Sequence, residues 1–312
     1  MNEVTIISGR MNPRVDPHLA IWHWEIPFYL FMGGLAAGIL FFAALYMLLN
    51  REDRFNAAVR VTPHVAPFAL VLGLLALLLD LNHKAYFWQL YTTIRLQSPM
   101  SWGAWVLMLI TPLSFIWSAI HIKTILPGWE WKGIWKRMES FFSQQKRAIA
   151  WIMLFSSVIL GIYTGILFSA FNARPLWNTS ILGPLFLVSG LSTGAAMNIM
   201  FSRDHAARLT FSRIDLMLIG IELFLIIHMF MGFLASTQVQ IDAAELFLGG
   251  SYTASFWVLV VGMGLILPAI MEILELRKYK IPVFVPAALV LVGGLILRFI
   301  IAFAGQESRW LY

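Results

Sequence analysis

The residues best equipped for chemistry gather in one short stretch. From Asp80 to Trp105 the chain reads DLNHKAYFWQLYTTIRLQSPMSWGAW, which sets Asp80, His83, Lys84 and Arg95 among Tyr86, Trp88, Tyr91, Trp102 and Trp105. Long apolar segments flank the stretch on both sides. A carboxylate that ends an apolar run is costly unless it is paired or used. Asp80 is therefore a candidate functional group, with an ion pair to Lys84 or Arg95 as the competing account. Charged groups among amphipathic rings suit a site for an amphipathic molecule.

The elements that must position these groups follow from composition. With 60% hydrophobic residues, 12% charged residues and a mean hydropathy of +0.78, the chain departs far from the roughly 25% charged content of soluble domains. A bilayer core of about 30 Å calls for helices of about 20 apolar residues. Eight such segments are expected, at approximately 25–49, 63–80, 101–122, 147–170, 177–200, 214–236, 251–273 and 281–304. The runs are continuous and exceed the roughly 10 residues of a tilted spanning strand. The expected fold is thus all-α and polytopic, not a β-barrel.

An internal repeat divides the spans. Gly33-Gly34-Leu35-Ala36-Ala37-Gly38 in the first resembles Ser189-Gly190-Leu191-Ser192-Thr193-Gly194 in the fifth. Four helices separate the two runs, so the halves share one orientation and two four-helix bundles are expected. The division is an N-terminal segment 1–24, a first bundle 25–170 and a second bundle 171–312. Close helix packing through small residues is the competing explanation of both runs.

Orientation follows from the cations. Of the 22 Lys and Arg residues, fifteen fall in the connections after spans one, three, five and seven. Positive charge marks the cytoplasmic side, so both termini and the Asp80–Trp105 connection are expected outside the cytoplasm. The net charge of +6 then reports topology, not nucleic-acid binding. The first 24 residues hold Arg10, Arg14 and Asp16 without an apolar core, so no cleavable leader is expected. The stretch WEWKGIWKRMESFF, with Trp129, Trp131 and Trp135 beside Lys132, Lys136 and Arg137, reads as a helix lying along the lipid headgroups. The sequence has no cysteine, so any iron–sulfur cluster must be held by a partner.

Several motifs together resemble the polysulfide reductase membrane subunit (NrfD/PsrC) family. They are Trp22-His23-Trp24, Asp80-Leu81, Ser98-Pro99-Met100-Ser101-Trp102-Gly103-Ala104-Trp105, Arg174-Pro175-Leu176-Trp177-Asn178 and Ser189 to Gly194. The likeness extends over most of the chain. It implies a haem-free, quinone-binding membrane anchor in the bacterial cytoplasmic membrane, binding menaquinone or ubiquinone. It also implies a ferredoxin-like iron–sulfur partner with four clusters on the extracytoplasmic face, and a molybdopterin or other catalytic subunit beyond it. In the polysulfide reductase version a Tyr of the fourth helix contacts quinone, and Tyr163 matches it. That version also carries an Asn and a His in the first helix. The His position corresponds to Tyr29, and the Asn falls near Glu25 or Ile26. Many relatives read Asp-Leu-Gly-Arg-Pro where this chain has Asp80-Leu81-Asn82-His83-Lys84, so the basic group becomes His83 or Lys84.

Quinone chemistry moves two protons with two electrons, so hydrogen-bond partners and titratable groups must stand near both ring oxygens. Asp80, His83, His23 and Tyr163 are the expected catalytic groups. An imidazole with a reference pKa near 6.5 makes His23 or His83 a proton acceptor. Tyr29, Glu25, Trp102 and Arg174 are the expected quinone-binding residues. Trp22 and Trp24 read as interface-belt residues and His18 as loop. Arg174 is equally a helix-terminal anchor. Glu222, His228, His64 and Arg298 are candidates for a proton path, with a structural Glu222–Arg298 pair as the alternative, while Asp215 reads as interface charge. Two rival readings stay open. A b-type cytochrome needs two facing histidines, for which His64 and His121 are the available pair. A secondary transporter fits the repeat and the mid-membrane Glu222.

Overall fold

A computed structural model describes residues 22–309. Residues 1–21 and 310–312 lie outside it, and with them His18 and most of the 1–24 segment. Among the described residues every regular element is helical. Eight helices are long and apolar enough to cross a membrane: α1 Glu25–Leu48, α2 Ala57–Asp80, α3 Pro99–Thr124, α4 Lys146–Ser169, α5 Leu182–Phe201, α6 His205–Leu234, α7 Ser255–Leu276 and α8 Phe284–Glu307. The protein is a multi-pass membrane protein, as its apolar runs require.

The helix ends depart from the sequence expectation where local chemistry outweighs hydropathy. Helix α6 starts well before 214 because Asp204 caps it, its carboxylate accepting from the Ala206 and Ala207 amides at 3.2 and 3.0 Å. Such caps satisfy amide groups that a helix start leaves free, and the helix can then run through polar Arg208 and Arg213. Helix α5 starts later than 177 because residues 174–178 form tight turns, with the Trp177 and Asn178 amides both donating to the Arg174 carbonyl. Helix α2 begins with one wide π-helical turn, Ala57–Val61. The first half of α7, Ser255–Ile266, is π-helical as well.

In chain order α1–α4 make a first group and α5–α8 a second, and the two meet in broad contact along α1, α4, α5 and α8, with α5 packed on α1 as closely as on α6. Helix α1 is the central element: 78% of its apolar window is buried, against 33% for α7. The two repeat motifs meet there. A Cβ on Gly38 would fall on the Gly190 carbonyl, and one on Gly194 would fall on the Gly38 backbone. In lipid the apolar tails offer helices no hydrophobic reason to associate, so close backbone approach supplies the attraction. Close packing through small residues thus accounts for both runs.

On the outside of the bundle, Phe68, Phe155 and Phe224 are more than half exposed, as lipid-facing side chains should be. The surface helix Ile134–Gln144 has no buried residue. It begins after Gly133, whose φ of 59° favours glycine. The Trp131 indole anchors the preceding turn by donating to the Ala119 carbonyl at 3.2 Å.

Candidate functional site

Helix α2 ends at Asp80 because Leu81 adopts extended backbone. The connection then makes a turn at Lys84–Tyr86 and a short helix at Gln89–Thr92 before Pro99 opens α3. Two side chains of α3 fold it back. Ser101 Oγ donates to the Thr93 carbonyl at 3.2 Å, and the Trp102 indole donates to the Leu96 carbonyl at 2.8 Å. Beneath the folded connection lies a cleft of about 510 Å³, lined in part by Asn82, His83, Tyr86, Arg95 and Ser101. An apolar groove of about 220 Å³ adjoins it along α2, formed by Val71, Leu74, Leu78 and Tyr91 among others. Leu81, Phe87 and Leu90 belong to both. A polar cleft continuous with an apolar groove is a shape for an amphipathic ligand.

Deeper in, the helices converge on two phenols. Tyr29 of α1 and Tyr163 of α4 are buried, and the two phenols lie within electrostatic range of each other. Gly73 of α2 admits the Tyr29 ring, whose Cδ2 would lie 3.5 Å from a Cβ there. Gly103 of α3 admits Tyr163: a Cβ at that position would fall inside the phenol ring. Tyr91 lies within electrostatic range of Tyr29. Burial pushes its phenol above the usual range, so it is a hydrogen-bond donor at neutral pH. Near the same end Asp80 is half-buried within electrostatic range of Glu25 and His23. Glu25 Oε2 is buried without a hydrogen-bond partner, a costly state that a bound donor would relieve.

The structure therefore brings Tyr29, Tyr163, Asp80, Glu25 and His23 to one end of the first four helices, with His83 in the adjoining cleft. Other candidates stand apart. Trp102 is more than half exposed, and its indole N–H is committed to the loop. Arg174 sits on the C-terminal end of α8, where Nη1 donates to the Gln306 and Ser308 carbonyls at 2.7 and 3.0 Å. Trp22 belongs to an aromatic cluster, stacked on Trp177 with centroids 5.2 Å apart and tilted against Phe168. Its backbone exchanges hydrogen bonds with the Gln306 side chain at 2.8 and 2.9 Å.

The second group of helices holds a series of buried polar groups. Arg298 is fully buried; Nη1 donates to Ser189 Oγ at 2.7 Å and to the Gly294 carbonyl at 2.8 Å. Glu222 lies within electrostatic range of Ser189 and of the Arg298 guanidinium. Asp215 lies seven residues before Glu222, two turns away on the same helix face. It is fully buried, accepting from Ser192 Oγ at 2.5 Å, which corrects its reading as interface charge. The Asp215 and Glu272 carboxyls face each other, and no donor from elsewhere reaches Asp215 Oδ2 or either Glu272 oxygen. A proton held between two carboxyl groups is what satisfies such a pair. Glu275, one turn on, pairs with Arg208 at 3.0 Å, and Arg208 reaches His205 at 2.8 Å. Glu272 and Glu275 escaped the sequence reading because they precede Arg277 and Lys278, where acids look like ordinary end-of-helix charge. Their three-residue spacing on an apolar helix was the available signal.

The two remaining proton-path candidates do not join this series. His228 is exposed on the outer face of α6, 4.8 Å from the Phe224 ring. His64 lies in the first group of helices at the end opposite Asp80, with Nδ1 3.1 Å from the Val61 carbonyl. His121 is anchored in the same way on the Trp117 carbonyl at 3.0 Å, and both rings keep a buried Nε2 without a partner.

The chain is similar to known proteins over nearly its whole length. The family model described as "Polysulphide reductase, NrfD" matches residues 12–308. Protein NrfD of Escherichia coli is 33% identical over 92% of this chain and 95% of its own. A polysulfide reductase chain from Wolinella succinogenes is 30% identical over 92% of this chain and 94% of its own. A selenate reductase subunit from Mesobacillus selenatarsenatis is 25% identical over 80% of this chain and 66% of its own.

Proposed function

The chain belongs to the polysulphide reductase NrfD family, and we propose that it is the quinone-reacting membrane subunit of a multi-subunit oxidoreductase. It exchanges electrons between the quinone pool and an iron–sulfur partner. The observation that carries this reading is the polar cleft beneath the 81–101 connection, set against the Tyr29, Tyr163 and Asp80 cluster. The relatives from Wolinella and Mesobacillus are named as components of a polysulfide reductase and a selenate reductase, which supports a place in such a complex.

The residues fit a quinone, menaquinone or ubiquinone. The apolar groove along α2 suits its isoprenoid tail, and the orphaned Glu25 Oε2 and the phenols suit its ring oxygens. The quinone supplies a two-electron, two-proton redox couple. Tyr29, Tyr163 and Tyr91 donate hydrogen bonds to it; Asp80 and Glu25 accept them and hold protons. His83 and His23, both exposed, stand between these groups and water and relay protons there.

No cysteine is available in this chain, so the electrons leave to a partner's clusters. The exposed rim around Ile94 and Leu96, 72% and 70% accessible, is the docking face for a four-cluster ferredoxin-like subunit, with a molybdopterin or other catalytic subunit beyond it. This face and both termini are extracytoplasmic in the bacterial cytoplasmic membrane, with the fifteen-cation side in the cytoplasm. The buried series from Arg298 and Glu222 through Asp215 and Glu272 to Arg208 supports a proton route from mid-membrane to that cytoplasmic side.

The test uses the complex purified with its partners. Quinone should co-extract with it, the visible spectrum should lack a stoichiometric b-type α-band, and Asp80→Asn or His83→Ala should abolish quinol-linked turnover without loss of assembly. Unchanged turnover in both variants would sink the site assignment.

A further inference from the structure

A large cleft lies at the membrane end opposite the candidate quinone site. It measures about 790 Å³ and sits where the α1–α2 turn, the end of α3 and the α5–α6 turn meet. Both helix groups therefore contribute to its walls. Arg54 and Arg203 line it, both exposed. Neither has a carboxylate partner among the described residues; the Arg54 guanidinium stands 5.4 Å over the Phe55 ring. The two acids of the lining are committed elsewhere. Asp53 bonds Arg60 at 3.0 Å, and Asp204 caps α6. Ser202 also lines the cleft, 8% exposed, and its Oγ has no hydrogen-bond partner. Val61, Ile125 and Phe201 supply an apolar wall.

A buried hydroxyl without a partner is costly, and this one belongs to the cleft lining beside two guanidinium groups that have no carboxylate partner among the described residues. Guanidinium groups and a hydroxyl together suit a phosphate. The spanning helices α1, α3 and α5 all end here, which sets the cleft at headgroup depth, and the apolar wall gives an acyl tail a path toward the bilayer. We propose that this cleft binds the phosphate of an anionic phospholipid, such as phosphatidylglycerol or cardiolipin, and that the lipid ties the two helix groups together. Basic pockets between helix ends on the positively charged side of a membrane are sites of this kind. A free phosphate shares the headgroup chemistry but not the acyl contact with Val61, Ile125 and Phe201.

The test uses the intact membrane complex, delipidated in neutral detergent, with its unfolding temperature measured after adding phosphatidylglycerol, phosphatidylcholine or inorganic phosphate. Phosphatidylglycerol at about a hundred times its dissociation constant should raise the temperature by roughly 5 °C, and phosphatidylcholine and inorganic phosphate should not. The double variant Arg54→Gln with Arg203→Gln should lose the shift, and Ser202→Ala should reduce it. An equal shift with phosphatidylcholine, a shift reproduced by inorganic phosphate, or a full shift in the double variant would overturn the proposal. The three wild-type arms decide the matter even if a variant does not assemble.

Discussion

The phenol ring of Tyr163 rests on the α-carbon of Gly103, in space that any side chain on residue 103 would occupy. The glycine of the Ser-Pro-Met-Ser-Trp-Gly-Ala-Trp motif therefore sets the position of a tyrosine 60 residues away on another helix. Through Tyr163 it also sets how that phenol stands toward Tyr29. The motif and the tyrosine, separate features of the sequence, are one feature of the fold.

Gly103→Ala should push the Tyr163 ring out of register with Tyr29. Overpacking a filled site costs about 1–3 kcal/mol, so the complex should still assemble. Quinol turnover should fall about tenfold or more, because a catalytic group displaced by about an ångström loses its geometry. Steady-state quinol oxidation by the purified complex checks this, and parental KM and kcat would refute it.

Tyr29→Phe and Tyr163→Phe each remove one of two neighbouring buried hydroxyls that the proposed site offers to the quinone. The loss is about 1–3 kcal/mol, read as roughly a tenfold fall in quinol kcat/KM for either change. The double variant should lose less than the sum of the two, since neighbouring groups that serve one ligand couple. Additive losses in the cycle would show that the hydroxyls act independently.

Arg174→Gln removes the charged donor from the Gln306 and Ser308 carbonyls. Hydrogen bonds to a charged group are worth about 1.5–3 kcal/mol each, so the unfolding temperature should drop by several degrees, roughly 3–10 °C. The quinol KM should stay at its parental value. A raised KM with an unmoved unfolding temperature would place Arg174 at the ligand instead of the helix end.

Asp215→Asn and Glu272→Gln keep the shape of the buried carboxyl pair but leave it unable to release and rebind a proton. In proteoliposomes, electron transfer from quinol should persist while transfer of protons to or from the side holding Arg208 is lost. Proton movement at the parental ratio to electrons in both variants would remove the route through α6 and α7. Stability should hold or rise, since a buried acid is replaced by a neutral amide.

The solvent, the class of fold and the number of crossings are legible from the residues in order, because a bilayer core of fixed thickness demands apolar runs of fixed length. The family motifs point to quinone chemistry, and charge at the end of an apolar run singles out the Asp80–Trp105 stretch. Helix starts are less legible: hydropathy sees apolar residues but not the Asp204 cap that begins α6. Which residues meet is settled by packing in three dimensions. Packing pairs Tyr29 with Tyr163, locks the glycines of α1 into those of α5, turns Arg174 onto α8 and His228 outward, and joins Asp215 to Glu272 inside the second helix group. Those outcomes depend on the rotation of each helix about its own axis. Hydropathy along a span carries almost no information about that rotation when every face is apolar, whereas close backbone contact at glycine and the need to satisfy buried polar groups fix it.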